Sequence, residues 1–293
     1  FMERICVFTP TYNRAYCIEG LYNSLVAQSC QDFYWLVVDD GSTDNTEEVI
    51  NRLKDESLIH IEYVYQQNGG KPRAHNMGVK ACTAPLFFCV DSDDTLEEKA
   101  IERILTRWET ICSDNRIAGI VGLDGETHDK PIGNMMPADN YETTLWDLYY
   151  KQGHIGDVSL IYRTEILREY PFEVHPNEKF IAETFVYNQI DQSYRLNVLN
   201  DILIICEYRQ DGYSYNARRI TRENPYGYIK LKRMQIEYAD SFSLKLKCTI
   251  LYLVGYILSG QGLRAGISNA PHRGLAIMAA PFSLLLAKTE FQK

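Results

Sequence analysis

Pro85-Leu86-Phe87-Phe88-Cys89-Val90-Asp91-Ser92-Asp93-Asp94 is the stretch that decides how this chain is read. An apolar run stops abruptly at three acidic residues packed into four positions. A short apolar run with such an end reads as a buried strand. Carboxylates a few ångströms apart repel and push a pKa upward. A divalent ion with oxygen ligands reverses that balance. The expectation is a strand whose carboxyl end presents a metal site, with a phosphate ester as its cargo.

Strand and helix patterns alternate on both sides of that stretch. Arg4–Phe8 is an apolar strand that runs into the turn Thr9-Pro10-Thr11-Tyr12-Asn13, and Ala15–Gln28 reads as a helix. Phe33–Val38 is a second buried strand, ending at Asp39-Asp40-Gly41. Asp44-Asn45-Thr46-Glu47 has the form of a capping box and predicts a helix to about Lys54. Ile59–Tyr65 alternates like a strand, Asn68-Gly69-Gly70 is a turn, and Lys71–Cys82 reads as a helix. After the acidic stretch, Leu96–Ile111 is a predicted helix and Ile117–Leu123 a fifth strand. Repeats of this length imply right-handed crossovers and an α/β fold with a mostly parallel sheet. Ligands of such sheets sit beyond the carboxyl ends of the strands. Polar signals stand at three of those ends: Thr9–Asn13, Asp39–Ser42 and Asp91–Asp94.

The later sequence is less regular. Asp124–Asn140 is a loop rich in Gly, Pro, Asp and Asn, and Thr143–Lys151 is a short helix. Asp157–Tyr162 is a strand and Ala182–Gln192 is helical, while Leu196–Leu199 and Ile202–Tyr208 look like a hairpin across Asn200-Asp201. From Tyr226 onward two apolar runs appear, Cys248–Ser259 and Leu275–Ala287. Both fall short of the ~20 residues that span a bilayer. Basic groups border them: Lys245, Lys247, Arg264, Arg273 and Lys288. Helices lying on a membrane face have this pattern, and so do helices that only cap a core.

Composition sets the outer bounds. The chain has 293 residues, 45% hydrophobic and 24% charged, enough for one large α/β domain with an appendage. Phe1 stands ahead of Met2 and is set aside as a leftover of cloning; Arg4–Phe8 is too short for the apolar core of a secretory signal. The eight cysteines have no C-x-x-C spacing, which favours reduced thiols in a cytoplasmic protein over a zinc site or disulfide framework. Net charge is −9, yet Ala217–Lys293 holds 12 basic and 4 acidic residues and everything before it holds 18 and 35. A basic tail on an acidic body suggests a separate partner for the tail, with an anionic membrane surface as one candidate. No nucleic-acid partner is expected. The expected division is 2–216 for the α/β domain and 217–293 for a basic helical extension.

Four segments, in order and spacing, resemble the inverting nucleotide-sugar glycosyltransferases of family 2: Val7-Phe8-Thr9-Pro10-Thr11-Tyr12-Asn13-Arg14, Val37-Val38-Asp39-Asp40-Gly41-Ser42-Thr43-Asp44, Asn68-Gly69-Gly70-Lys71 with Asn76, and Asp91-Ser92-Asp93-Asp94. The match covers about residues 3–125 and continues more loosely to about 216. The resemblance implies a GT-A, Rossmann-like sheet flanked by helices. It implies transfer of a sugar from a UDP-sugar donor to a hydroxyl acceptor; the tail, suited to a membrane face, adds the expectation of a saccharide or lipid-linked acceptor, in cell-surface polysaccharide or glycolipid synthesis. The basic, apolar tail leaves peripheral attachment to the inner face of the plasma membrane open beside a free cytoplasmic enzyme.

The resemblance carries residue roles with it. Asp39 corresponds to the family's acceptor for the uracil imide, against the plainer reading of an Asx-turn that also covers Asp40 and Ser42. Thr9, with Pro10 and Tyr12, corresponds to the uridine contact, by backbone and hydroxyl. Gly70 and Lys71 stand where backbone and ammonium approach the diphosphate, with Arg73 as a second cation. Asp91-Ser92-Asp93 is the D-x-D, with Asp93 on Mn²⁺ or Mg²⁺ and Asp91 on the ribose or the metal. Asp94 is alternatively the N-cap of the next helix. An EF-hand calcium loop is the rival, but its required sixth-position Gly is Leu96 here. Glu183, in Glu178–Val186, matches the segment that bears the general base, although the family's common Glu-Asp pair is Glu-Thr here, and Glu178 competes. Glu207–Ser214 resembles segments that close over phosphates. A sugar nucleotidyltransferase and a non-catalytic nucleotide-sugar binding protein remain as alternatives.

Overall fold

A computed structural model describes residues 3–207 and 216–291. The elements in chain order are β1 (Ile5–Thr11), α1 (Ile18–Val26), β2 (Phe33–Asp39), α2 (Thr46–Asp55), β3 (Ile61–Tyr65), α3 (Lys71–Ala81) and β4 (Leu86–Cys89). Then come β5 (Thr95–Leu96), α4 (Ala100–Ile111), β6 (Ile117–Thr127), β7 (Lys130–Pro131), β8 (Glu142–Thr143), α5 (Leu145–Tyr150), β9 (Val158–Arg163), α6 (Thr164–Glu169), α7 (Thr184–Ile190) and β10 (Arg195–Ile205). The last helices are α8 (Ala217–Glu223), α9 (Pro225–Tyr238), α10 (Phe242–Leu258), α11 (Gly262–Asn269) and α12 (Arg273–Glu290).

β1 and β2 are buried at every position, as strands covered on both faces must be. The main path of the sheet runs β3-β2-β1-β4-β9-β6-β10-β5. β3, β2, β1 and β4 are mutually parallel, and β10 runs parallel to β6. β9 is inserted antiparallel between β4 and β6. The sheet is therefore mostly parallel with helices around it, as expected. The chain moves from β1 outward to β2 and β3, then returns to place β4 on the other side of β1. That reversal is a switch point, where strand ends diverge and leave a crevice.

Four sequence expectations change. The stretch Asp124–Asn140, expected as a loop, begins inside β6 and contains β7. The helix expected from Leu96 begins at Ala100, because Leu96 is taken by β5, which pairs antiparallel with Ile204 of β10. The hairpin expected across Asn200-Asp201 is one strand, β10, with register shifts against β6 near that dipeptide. Asn200 stays in line because its side chain bonds outward: Oδ1 accepts from Met136 N at 3.0 Å, and Asn200 N donates to Asp139 Oδ1 at 2.9 Å. The expected capping box is instead a local turn, with Asn45 at the N-cap and Asp44 Oδ1 accepting from Thr46 N at 3.0 Å.

The chain divides into two compact units, Phe1–Pro171 with Val186–Glu207, and Phe172–Phe185 with Tyr208–Lys293. The first holds the sheet and a core around Trp35, Phe88, Ile101 and Ile161. The second holds α8 to α12, with a core of Ile236, Tyr252, Leu253, Ala276 and Ala279. Residues 172–185, placed within 2–216 on sequence grounds, cluster with these later helices. The reason is local: buried Glu178 accepts from Tyr226 N (2.7 Å) and Gly227 N (2.8 Å), the first-turn amides of α9. Asn224 Oδ1 in turn accepts from Lys179 N and Phe180 N. A carboxylate there meets the positive end of the helix and satisfies amides that lack intrahelical partners.

Candidate active site

The three polar strand ends come together because β2, β1 and β4 are neighbours in the sheet. Asn13, at φ 54°, links the first two ends. Its Oδ1 accepts from Thr43 N at 2.7 Å, and its own N–H donates to Ser42 Oγ at 2.8 Å. Tyr12 is 47% exposed, so its ring is open to a planar ligand. Pro10, two residues earlier, is buried. Thr9 is fully buried, and its Oγ1 accepts from Trp35 Nε1 at 2.9 Å, so the hydroxyl already has a core partner in the neighbouring strand. Thr11 Oγ1, one strand position short of the turn, is buried with no hydrogen-bond partner.

Asp39 is 1% exposed and already works as a turn residue: Oδ1 accepts from Ser42 N at 2.7 Å and Oδ2 from the Tyr63 hydroxyl at 2.8 Å. Burial and this carboxylate push the Tyr63 phenol well above its ordinary value. Each Asp39 oxygen retains a second lone pair for a ligand donor.

Asp40 has the role that sequence reasoning missed. Its Oδ1 accepts from Gln66 Nε2 (2.6 Å) and Gly69 N (2.7 Å), and its Oδ2 from Gly70 N (2.7 Å) and Asn68 Nδ2 (3.1 Å). One buried carboxylate thus holds the whole Asn68-Gly69-Gly70 turn. Gly70 sits at φ 92° as the N-cap of α3, a conformation that L side chains rarely adopt. The signal was the second acid of Asp39-Asp40, but its donors lie about thirty residues on, beyond any local pattern.

That turn delivers Lys71 to β4. Lys71 Nζ lies 2.7 Å from Asp91 Oδ1 and 2.9 Å from Oδ2, with side chains 18% and 41% exposed. Asp91, Asp93 and Asp94 each bring a carboxylate oxygen within 4.8 Å of the others. Among the described residues they form the one such group of His, Cys, Asp and Glu. Ser92 is buried between them in sequence. Asp94 does not cap α4, whose N-cap is Lys99; its Oδ1 accepts from Glu207 N at 3.3 Å. Burial, then Asp91, Asp93 and Asp124, raise Asp94 to about 8. Asp124, hydrogen-bonded to Ser159 Oγ at 2.5 Å, is raised to about 7, first by burial, with Asp157 and Asp91 adding to it. A hard divalent cation with carboxylate ligands would offset the mutual repulsion of these acids, so Asp91, Asp93 and Asp94 fit Mg²⁺ or Mn²⁺.

The base candidates lie in the second unit. Glu183 is half-buried, one residue ahead of α7. Glu178 is 5% exposed with both oxygens on α9 amides, which makes it a structural anchor and removes it as competitor. Of Glu207–Ser214, residues 208–214 lie outside the described residues. No disulfide joins the eight cysteines, all of which are described.

The family model of glycosyl transferase family 2 matches residues 6–171. The chain belongs to that family. At 26% identity over 68% of this chain and 58% of its own length, it is similar to the poly(ribitol-phosphate) beta-N-acetylglucosaminyltransferase TarP of Staphylococcus aureus. The corresponding enzyme TarS of the same species is 24% identical over 82% of this chain and 41% of its own. An uncharacterised glycosyltransferase of Nostoc is 34% identical over 36% of this chain and 33% of its own. The chain thus spans between a third and three fifths of these curated relatives. Among solved structures, TarS residues 1–349 with UDP share the fold at TM-score 0.61 and 18% identity, over 98% of this chain and 89% of that one. A mannosyltransferase of Pyrobaculum calidifontis with GDP-Man and Mn²⁺ does so at TM-score 0.58 and 15% identity, over 100% and 83%. The family 2 chain thus has the GT-A architecture of these neighbours, and its own chain ends in the helices α8 to α12.

Proposed function

We propose that the chain is an inverting, metal-dependent glycosyltransferase that moves a sugar from a UDP-sugar to a hydroxyl acceptor. The observation that carries this is the Asp91–Asp93–Asp94 group beside Lys71, at the switch point between β1 and β4. Tyr12 offers a ring for the base to stack on, Pro10 the main chain beside it, and Asp39 a free lone pair for the uracil N–H. Gly70, held by Asp40, lets backbone approach the diphosphate, and Lys71 turns from Asp91 to a phosphate oxygen. Asp93 and Asp91, with Asp94, would hold Mn²⁺ or Mg²⁺. When bound, the ion supplies Lewis-acid stabilisation of charge on the departing diphosphate. The acceptor oxygen attacks the anomeric carbon as the sugar–phosphate bond breaks, and Glu183 takes its proton.

TarS and TarP carry poly(ribitol-phosphate) and N-acetylglucosamine in their names. These names support trying polyol-phosphate and saccharide hydroxyls, free or lipid-linked, first as acceptors and UDP-GlcNAc first as donor. The thiol-rich, disulfide-free chain suits a cytoplasmic setting.

Calorimetry with UDP, with and without Mn²⁺, is the first test, followed by a donor screen scored by UDP release. The reading expects binding that strengthens with Mn²⁺ and that Asp93→Asn weakens. Glu183→Gln should abolish turnover and leave UDP binding intact. An unchanged rate in that variant would remove Glu183 as the base; absent UDP binding would remove the whole reading.

A further inference from the structure

The helix α12 is built inside out. Its buried face is small: Ala276, Ala279, Ser283 and Ala287, packed against α10. Its exposed face is large: Ile277 (62% exposed), Met278 (54%), Phe282 (58%), Leu284 (52%) and Leu285 (63%). An ordinary surface helix buries bulky residues and shows polar ones to water. Here residues 274–287 contain no charged side chain at all. Exposed Arg273 and Lys288 stand at the two ends of that stretch. A contiguous exposed apolar face of this kind marks an interaction surface.

The chemistry at the edges identifies the occupant. Both flanking groups are cations, and Glu290, the one acid on the helix, is already paired with Arg218 at 2.5 Å. A second copy laid face to face would set Arg273 and Lys288 of one chain against the same cations of the other. A lipid surface with anionic headgroups accepts the apolar face and the cations together. The 18 residues of α12 extend only about 27 Å, and no helix of the described residues is long and apolar enough to cross a membrane. We infer that α12 lies along an anionic membrane surface, with Ile277, Met278, Phe282, Leu284 and Leu285 in the acyl boundary and Arg273 and Lys288 at headgroup level. This inference is independent of the transfer reaction, since it uses none of its residues.

Flotation of the full chain with phosphatidylcholine vesicles, with and without phosphatidylglycerol, tests it directly. The expected result is binding to the anionic vesicles that falls with added salt. Met278→Glu with Leu285→Glu should weaken it at least tenfold, and Arg273→Gln with Lys288→Gln about fivefold for each charge removed. Both pairs change exposed positions, and circular dichroism confirms folding; Met278→Gln is the milder fallback. Failure to float with anionic vesicles overturns the inference. So does concentration-dependent association in sedimentation that the Met278→Glu, Leu285→Glu pair abolishes without any vesicle binding, which would assign the face to a second copy.

Discussion

Replacing Asp40 by Asn tests the claim that one carboxylate sets up the phosphate-facing turn. In the native chain four donors converge on it: Gln66 Nε2, Asn68 Nδ2 and the amides of Gly69 and Gly70. The amide of Asn turns one acceptor oxygen into a donor. Whichever way it is oriented, the Gly69 or the Gly70 N–H then faces another donor. A buried amide left unsatisfied costs about 1–3 kcal/mol, and the bonds that remain lose their charge assistance. Relief from burying a charge offsets part of this, so the net loss is about 2–4 kcal/mol. In a unit of roughly 150–250 residues each kcal/mol moves Tm by about 2–4 °C, so the transition of the sheet unit should fall by roughly 4–16 °C. Because Gly70 at φ 92° leads directly into Lys71, UDP affinity should drop by about tenfold or more, equal to about 1.4 kcal/mol. Scanning calorimetry and UDP titration read the two effects separately. A variant within about 2 °C of wild type and with unchanged Kd would refute the reasoning.

Three shorter predictions follow from other contacts. Lys71→Met removes the cation 2.7 Å from Asp91, so UDP binding without Mn²⁺ should fall by about tenfold while its dependence on Mn²⁺ steepens; identical titrations for both proteins would discount Lys71. Glu178→Gln should lower the melting temperature of the helical unit by weakening the α9 anchor, at about 1–3 kcal/mol, yet the folded fraction should turn over normally; lost turnover at unchanged stability would make Glu178 the base after all. His75, in an aromatic pocket with Phe8 and Phe87, is held neutral by burial, with Lys71 adding, at about 3. Its unfolded value is near 6.5, so its contribution is complete above about pH 6.5 and is lost by about 1.4 kcal/mol per unit as pH falls towards 3. His75→Phe should remove about 2 kcal/mol of the stability lost between pH 6.5 and 5; parallel pH curves would count against it.

What the sequence revealed was whatever is written locally. An apolar run ending in Asp91-Ser92-Asp93-Asp94 announces a buried strand and its ligand-facing end without knowledge of any partner strand. The β1, β2 and β4 ends were legible for the same reason, and their convergence followed from the parallel-sheet rule. Features that depend on distant pairing were hidden. Leu96 has helical spacing, yet β10 captures it as a strand through Ile204. Asn200-Asp201 is a hairpin signal that Met136 and Asp139 cancel by bonding to Asn200 from another segment. The bond from Trp35 of the neighbouring strand to the Thr9 hydroxyl is likewise invisible in the local sequence. Asp40 and Glu178 carry the same lesson for charge. Each is an acid in a suggestive place, and each has its oxygens filled by amides 29 to 49 residues away, one shaping the candidate site and the other only a helix end. A carboxylate's role is therefore set by which donors reach it first. Asp94 differs from both in that burial, and then the acids Asp91, Asp93 and Asp124, raise it, and that buried concentration of negative charge, not the motif, is the physical argument for a cation there.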